Sequence, residues 1–381
     1  TVSHLRFGKE AIKSTYYVSK ASIVVCTKDS YLNRLKMLEK IKDNGVFLLN
    51  TNKSADEVLA SMSNHDKRIL QNKKIKMFIV DANKIASDVG LNGKISSIME
   101  TLIFKLGKIV DYKFAIDKIK ENLNNKFANK GGNVVEKNVK AIDACLDKLI
   151  PVKIPYVDFD MDITPKKSTF EVIDCLEGDS LPVSTFMKMP GGEWEAGTSK
   201  YDKRDSSEIA PCYDSSNCIG CNLCSLVCPH GVIRPFLLDD KEVMDAPESM
   251  RGKLINANIK DKDYKMSIGV SLPDCTGCSL CSEVCPGKKS AKALVMKMKE
   301  DIVKSHQDEE YNYLFNEVKY KENVMPTNTV KGSQFVKPKF EFPGACAGCG
   351  ETPYLKLLTQ LFGDRMIVAN ATGCSSIYGA S

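Results

Sequence analysis

CIGCNLCSLVCP, residues 218–229, and CTGCSLCSEVCP, residues 275–286, decide how this chain is read. Each has the pattern C-x2-C-x2-C-x3-C followed by proline, with cysteines at 218, 221, 224 and 228 and again at 275, 278, 281 and 285. A four-iron cubane needs a thiolate at each corner. Short steps let three thiolates from one turn reach three irons. The longer last step and the following proline, Pro229 or Pro286, hold the fourth cysteine away, so it ligates the other cluster. The spacing assigns Cys218, Cys221, Cys224 and Cys285 to one [4Fe–4S] cluster, and Cys275, Cys278, Cys281 and Cys228 to a second. Zinc knuckles also use C-x2-C pairs, but zinc gives no reason for a duplicated run with both prolines in step.

Working outward, 46 residues separate Cys228 from Cys275, an insertion relative to a minimal two-cluster ferredoxin. Residues 211–319 are expected to form a ferredoxin-like α+β domain around it. Of the fifteen cysteines, eleven fall in metal-type sets, which excludes a disulfide scaffold and points to a reducing compartment. That compartment is the cytoplasm or a reducing anaerobic organelle such as a hydrogenosome. No run of eighteen apolar residues is present, so no membrane span is expected.

Residues 1–150 alternate between strand and helix patterns. Ser22–Cys26 and Val46–Leu49 are short apolar runs suited to buried parallel strands. Between them Leu32, Leu35, Leu38 and Ile41 follow a helical period, with Asp29 or Ser30 as cap and Gly45 as stop. Met77–Val80 makes a third strand, and helical patterns follow near 95–107, 113–126 and 134–149. The region is expected to be a doubly wound α/β domain over 1–165, its last fifteen residues an extended linker. It lacks G-x-G-x-x-G after a strand, and Gly131-Gly132 lacks the lysine of a phosphate loop, so neither suggests nucleotide binding.

Net charge is +6 overall. Residues 1–150 hold 27 Lys and Arg against 16 Asp and Glu, a net +11, and the remainder is acidic. The basic half is read first as a solvated surface and second as a surface for a phosphate-bearing ligand. Scattered lysines without an aromatic platform argue against nucleic acid.

Residues 166–210 form a small connecting segment with the only tryptophan, Trp194, read as a packing anchor. Residues 320–381 begin another α/β domain. There Cys346 and Cys349 form a C-x2-C, and Thr352 with Pro353 is placed to start a helix. Leu355, Leu358 and Leu361 would give that helix its apolar face. Met366–Ala369 reads as a strand and Cys374 as part of the loop beyond it, where α/β proteins bind ligands. Three cysteines cannot close a cubane, so a fourth ligand must come from elsewhere. Cys26, Cys145 and Cys175 read as core residues. Cys212 is surplus to a complete eight-cysteine set, and His230 is read as a surface residue.

HLRFGKEAIKSTYYV, GTSKYDKR and the pair GACAGCGET and ATGCSSIYG together resemble the pyruvate:ferredoxin oxidoreductase family of thiamine-diphosphate 2-oxoacid oxidoreductases. The resemblance implies a gamma-type domain, a small linker domain, the ferredoxin-like domain and the start of a thiamine-binding domain. It makes Cys346, Cys349 and Cys374 three ligands of a third [4Fe–4S] cluster, and Glu351 a contact of thiamine diphosphate, which Cys374 borders. In the complete enzyme it implies Mg²⁺ with the thiamine, pyruvate and CoA as substrates, acetyl-CoA and CO₂ as products, ferredoxin or flavodoxin as acceptor, and a homodimer. No G-D-G…N motif for the Mg²⁺-diphosphate occurs, so the chain is expected to be an internal segment, with no catalytic acid or base of its own. The alternative is a non-catalytic ferredoxin-type electron carrier fused to an α/β scaffold.

Overall fold

β1 (Ala21–Cys26), β2 (Ile41–Asn50) and β3 (Lys76–Val80) run parallel in that order, and β4 (Ile150–Val152) closes the sheet antiparallel to β3. The computed structural model describes residues 2–13, 16–32, 34–91, 93–127, 132–156, 168–195, 197–322 and 324–379. They divide into two compact units, Thr1–Pro182 and Val183–Ser381.

In the first unit both faces of the sheet are apolar because helices cover both. Phe47, Leu49, Met77 and Ile79 pack with Val58, Met62 and Leu70 from α1 (Ala55–Ser61) and α2 (Asn64–Asn72) and their junction. Leu48 and Val80 face the other way, toward α3 (Ala82–Asp88), α4 (Ser96–Gly107) and α6 (Gly132–Cys145). α5 (Tyr112–Phe127) packs on α4 and α6. Each fully buried side chain of this size contributes about 1.5–3 kcal/mol. Helix starts are local: Ser54 and Glu57 form a capping box, and Ser63 and Asp81 each accept from the backbone three residues on. Strand order is sequential, so no strand-order reversal occurs among the described residues.

One expected helix is absent. Between β1 and β2 only 3₁₀ turns form, at Asp29–Tyr31 and Leu38–Lys40. Leu32, Leu38 and Ile41 are buried as the pattern suggests, but Ile41 pairs with Ala21 in the ladder. Strand pairing takes the end of the segment, and the rest is too short to offset helix nucleation. Gly45 is therefore no helix stop. It lies inside β2, where a Cβ would come within 2.5 Å of Ile41 Cγ2 and 2.8 Å of the Lys42 carbonyl. Part of the expected linker is also structured, since Ile150–Val152 is β4; residues 157–165 lie outside the described set. Arg34 grips Asp174 through two hydrogen bonds of 2.9 and 2.7 Å, tying helix Thr169–Asp174 to this unit.

In the second unit β5 (Ile209–Tyr213) pairs antiparallel with β9 (Leu294–Met298). This clasp brackets both cysteine runs. The 46-residue insertion folds as its own antiparallel sheet, β6 (Ile233–Leu238), β8 (Lys265–Val270) and β7 (Ile255–Asn256) in spatial order. Trp194 is 40% exposed and is no core anchor. Residues 366–369 are not a strand: Ile367 is 98% exposed, and no described strand lies beside them to complete a ladder.

Candidate functional site

The two cysteine runs fold alike because their backbones must turn at the same steps. Gly220 and Gly277 both have φ of +67°, and the next non-cysteine residues, Asn222 and Ser279, have φ of +62° and +68°. These left-handed residues start the short helices Leu223–Leu226 and Leu280–Glu283, which carry the third cysteine of each run. Side chains are excluded at the second glycine, where a Cβ would come within 2.1 Å of Ser207 Oγ.

Folding brings the runs together crosswise. One cavity is lined by Cys218, Cys221, Cys224 and Cys285, with Tyr213, Ile268 and Leu294. A second is lined by Cys228, Cys275, Cys278 and Cys281, with Pro211, Ile233 and Met296. Each cavity takes three cysteines from one run and the last from the other. Among the described residues no three or more His, Cys, Asp or Glu side chains converge on a single metal ion. Four thiols lining one shared space are the donor set of a four-iron cluster. Gly220 N–H donates to Cys218 Sγ and Gly277 N–H to Cys275 Sγ, both at 3.4 Å, and Ala293 N–H to Cys285 Sγ at 3.2 Å. The Tyr213 hydroxyl is buried beside Cys218, a donor placed for a cluster sulfur. Burial pushes the Cys275 thiol up to about 11 and also raises Cys224 and Cys281. Such thiolates need a cationic partner in place.

The remaining cysteines sort by burial. Cys26 and Cys145 are core residues whose thiols burial pushes up to about 11. Cys175 is half-buried in the first unit, and Cys212 sits in β5, packed against the cluster-bearing core.

The third set is arranged differently. Cys346 and Cys349 share one turn, closed by Cys349 N–H donating to the Cys346 carbonyl at 3.1 Å. Helix Thr352–Phe362 follows, with Glu351 rather than Thr352 at its N-cap position and no side-chain cap. Glu351 N–H donates to Cys349 Sγ at 3.4 Å. Burial opposes ionisation of Cys349, but hydrogen bonds from Thr352 and Glu351 outweigh it and hold the thiol below its usual range. Cys346 and Cys374 are exposed. Cys374 does not sit in a loop; it opens helix Cys374–Gly379. That helix approaches Glu351 through Tyr378, whose phenol burial and the Glu351 carboxylate push up to about 12.

The hook lies against the second cavity. A Cβ on Gly348 would sit 3.7 Å from Cys278 Cβ, in ordinary contact. His230 bridges the two: its ring nitrogens lie 2.9 Å from the Ala345 carbonyl and 3.4 Å from Thr276 Oγ1. It is 5% exposed, not the surface residue expected from sequence, because β6 carries the residues after Pro229 into the core.

The helix after the hook departs from its expected polarity, although Leu355 and Leu361 are half-buried. Its buried positions are Thr352, Lys356 and Gln360, whereas Tyr354, Leu358 and Phe362 are 51%, 40% and 43% exposed. Lys356 and its partners Ser225 and Gln334 went unread in the sequence. The signal was present as an i, i+4 polar stripe, but leucine periodicity on the same helix masked it.

These features coincide with the families that match. The description Pyruvate ferredoxin/flavodoxin oxidoreductase matches residues 1–148, and a 4Fe-4S double cluster binding domain matches 217–288. A domain of unknown function matches 167–207. Over its whole length the chain is 43% identical to pyruvate:ferredoxin oxidoreductase of Moorella thermoacetica. The chain is thus similar, over its whole length, to part of the pyruvate:ferredoxin and pyruvate-flavodoxin oxidoreductases. It is 39% identical to a pyruvate-flavodoxin oxidoreductase of Enterobacter agglomerans and 37% to a pyruvate dehydrogenase [NADP(+)] of Cryptosporidium parvum. All of this chain aligns in each case, covering 33% of the first two oxidoreductases and 21% of the third. The chain thus spans about a third or less of the curated relatives' length. Among the described residues no helix is long and apolar enough to cross a membrane.

Proposed function

We propose that this chain is the electron-conducting part of an enzyme that oxidises pyruvate with CoA to acetyl-CoA and CO₂. One proton and two electrons leave with the products, and the electrons pass one at a time to ferredoxin or flavodoxin. The observation that carries this reading is the hook of Cys346 and Cys349 packed on Cys278, at the wall of the second cavity. A ferredoxin-type carrier alone has no use for a third cysteine set joined to a carboxylate.

On this reading Cys346, Cys349 and Cys374 hold a proximal cluster with one ligand from elsewhere in the protein. Cys228, Cys275, Cys278 and Cys281 hold the middle cluster, and Cys218, Cys221, Cys224 and Cys285 the outer one. Glu351 contacts thiamine diphosphate, which supplies the electron sink for decarboxylation when bound with Mg²⁺. The chain's own residues keep the relay short and dry: apolar neighbours exclude water, and backbone N–H groups stabilise the negative sulfurs. No side chain here acts as acid or base. The basic half, at net +11, is the surface we assign to the phosphates of CoA, and the complete enzyme is read as a homodimer in a reducing compartment.

The test is iron and sulfide analysis of the anaerobically purified complete protein, with low-temperature electron paramagnetic resonance and pyruvate- and CoA-dependent reduction of ferredoxin or flavodoxin. Three clusters and turnover are expected. Stoichiometric zinc at 218–285, or two clusters without thiamine binding, would sink the reading.

A further inference from the structure

Lys356 is a buried cation in a place that has no evident need of one. It is 1% exposed, on the buried stripe of helix Thr352–Phe362. Its ammonium donates to the Ser225 carbonyl and, at 3.3 Å, to Gln334 Oε1. The Ser225 hydroxyl donates to the same Gln334 oxygen at 2.9 Å. Ser225 and Gln334 are 3% and 2% exposed, so the whole network is out of water. Among the described residues no carboxylate pairs with Lys356; the titratable groups around it are Cys228, Arg234 and Cys224. An ammonium this deep is costly unless a negative charge offsets it.

The position says where that charge comes from. Ser225 adjoins Cys224, which lines one cavity, and lies three residues before Cys228, which lines the other. The carbonyl that Lys356 holds therefore lies, along the chain, between one cysteine of each cavity. A cubane on four thiolates is anionic and gains a further negative charge on reduction.

We propose that Lys356 is the shared counter-charge of the two clusters, a positioning residue that favours the reduced state of both. The inference rests on the reading above that both cavities hold [4Fe–4S] clusters. It also gives the polar stripe a purpose: the helix that carries the hook delivers its cation to the relay.

Redox titration of the complete protein, followed by electron paramagnetic resonance, tests it. Lys356→Met should move both midpoints negative, the reduced-to-oxidised ratio at fixed potential falling about tenfold, equivalent to ~59 mV for one electron. Lys356→Arg should restore most of that shift, which a packing role would not predict. Should Lys356→Met fail to hold its clusters, Gln334→Glu neutralises the ammonium without removing it, and the same negative shift is expected. Intact clusters with unchanged midpoints in either variant would overturn the proposal. A wild-type protein lacking both signals would instead overturn the cluster reading, and this inference with it.

Discussion

Cys228, Cys275 and Cys281 are buried among aliphatic side chains, whereas Cys346 and Cys374 are exposed. The two regions use related local chemistry, with a C-x2-C and backbone N–H donors to sulfur in both. They differ in what gathers the ligands. Residues 218–285 lie inside the β5–β9 clasp, and the pairing of Ile209 with Met298 through Tyr213 with Leu294 brings distant cysteines to one wall. Around Cys346 and Cys374 no described ladder does this. Cys346 and Cys349 stay together because one turn joins them, while Cys374 opens a helix whose Tyr378 approaches Glu351. One cysteine set is gathered by a ladder that brackets it; the other is held by a single turn.

The largest expected effect breaks the clasped region. Cys228→Ser should remove the cluster of Cys275, Cys278 and Cys281, with about half of the iron bound by 218–285. Cys285→Ser should remove the other. Iron analysis and paramagnetic resonance distinguish the two, and loss of the cluster nearer in sequence to the mutated residue would reverse the pairing.

Next comes the exposed region. Cys374→Ala in the complete protein should leave both clasped clusters intact and pyruvate decarboxylation measurable, while electron delivery to ferredoxin falls about a hundredfold or more. A normal rate with all clusters present would remove Cys374 from the relay. Glu351→Gln should do the reverse: every cluster stays, and thiamine diphosphate binding weakens by about 1.5–3 kcal/mol, as for a lost charged hydrogen bond. Calorimetric titration of the cofactor measures this, and unaltered affinity would free Glu351 from that role.

The smallest effects compare two glycines. Gly277→Ala forces both a left-handed φ of +67° and a clash with Ser207, so about 2–3 kcal/mol of stability should be lost. Gly348→Ala meets only an ordinary contact at Cys278 and should cost about 1–2 kcal/mol, for its φ of +74° alone. Thermal bleaching of the iron–sulfur absorbance ranks the pair; the opposite order would mean that the hook is packed more tightly than the clasped core.

Sequence by itself determined whatever depends on near neighbours along the chain. The crosswise grouping of the cysteines around two cavities followed from the x3 step and proline, and the covered sheet from apolar runs at 46–49 and 77–80 with capped helices between. Tertiary structure alone decided where two local signals competed. Leu32, Leu38 and Ile41 fit a helix, but ladder pairing of Ile41 with Ala21 won. Leu358 fits an apolar helix face, yet Lys356 is the residue that is buried, because Ser225 and Gln334, far away in sequence, supply its oxygen partners. His230 reads as exposed until β6 carries it inward. In each case the deciding free energy comes from groups brought close only by folding, and periodicity within one segment carries no record of them.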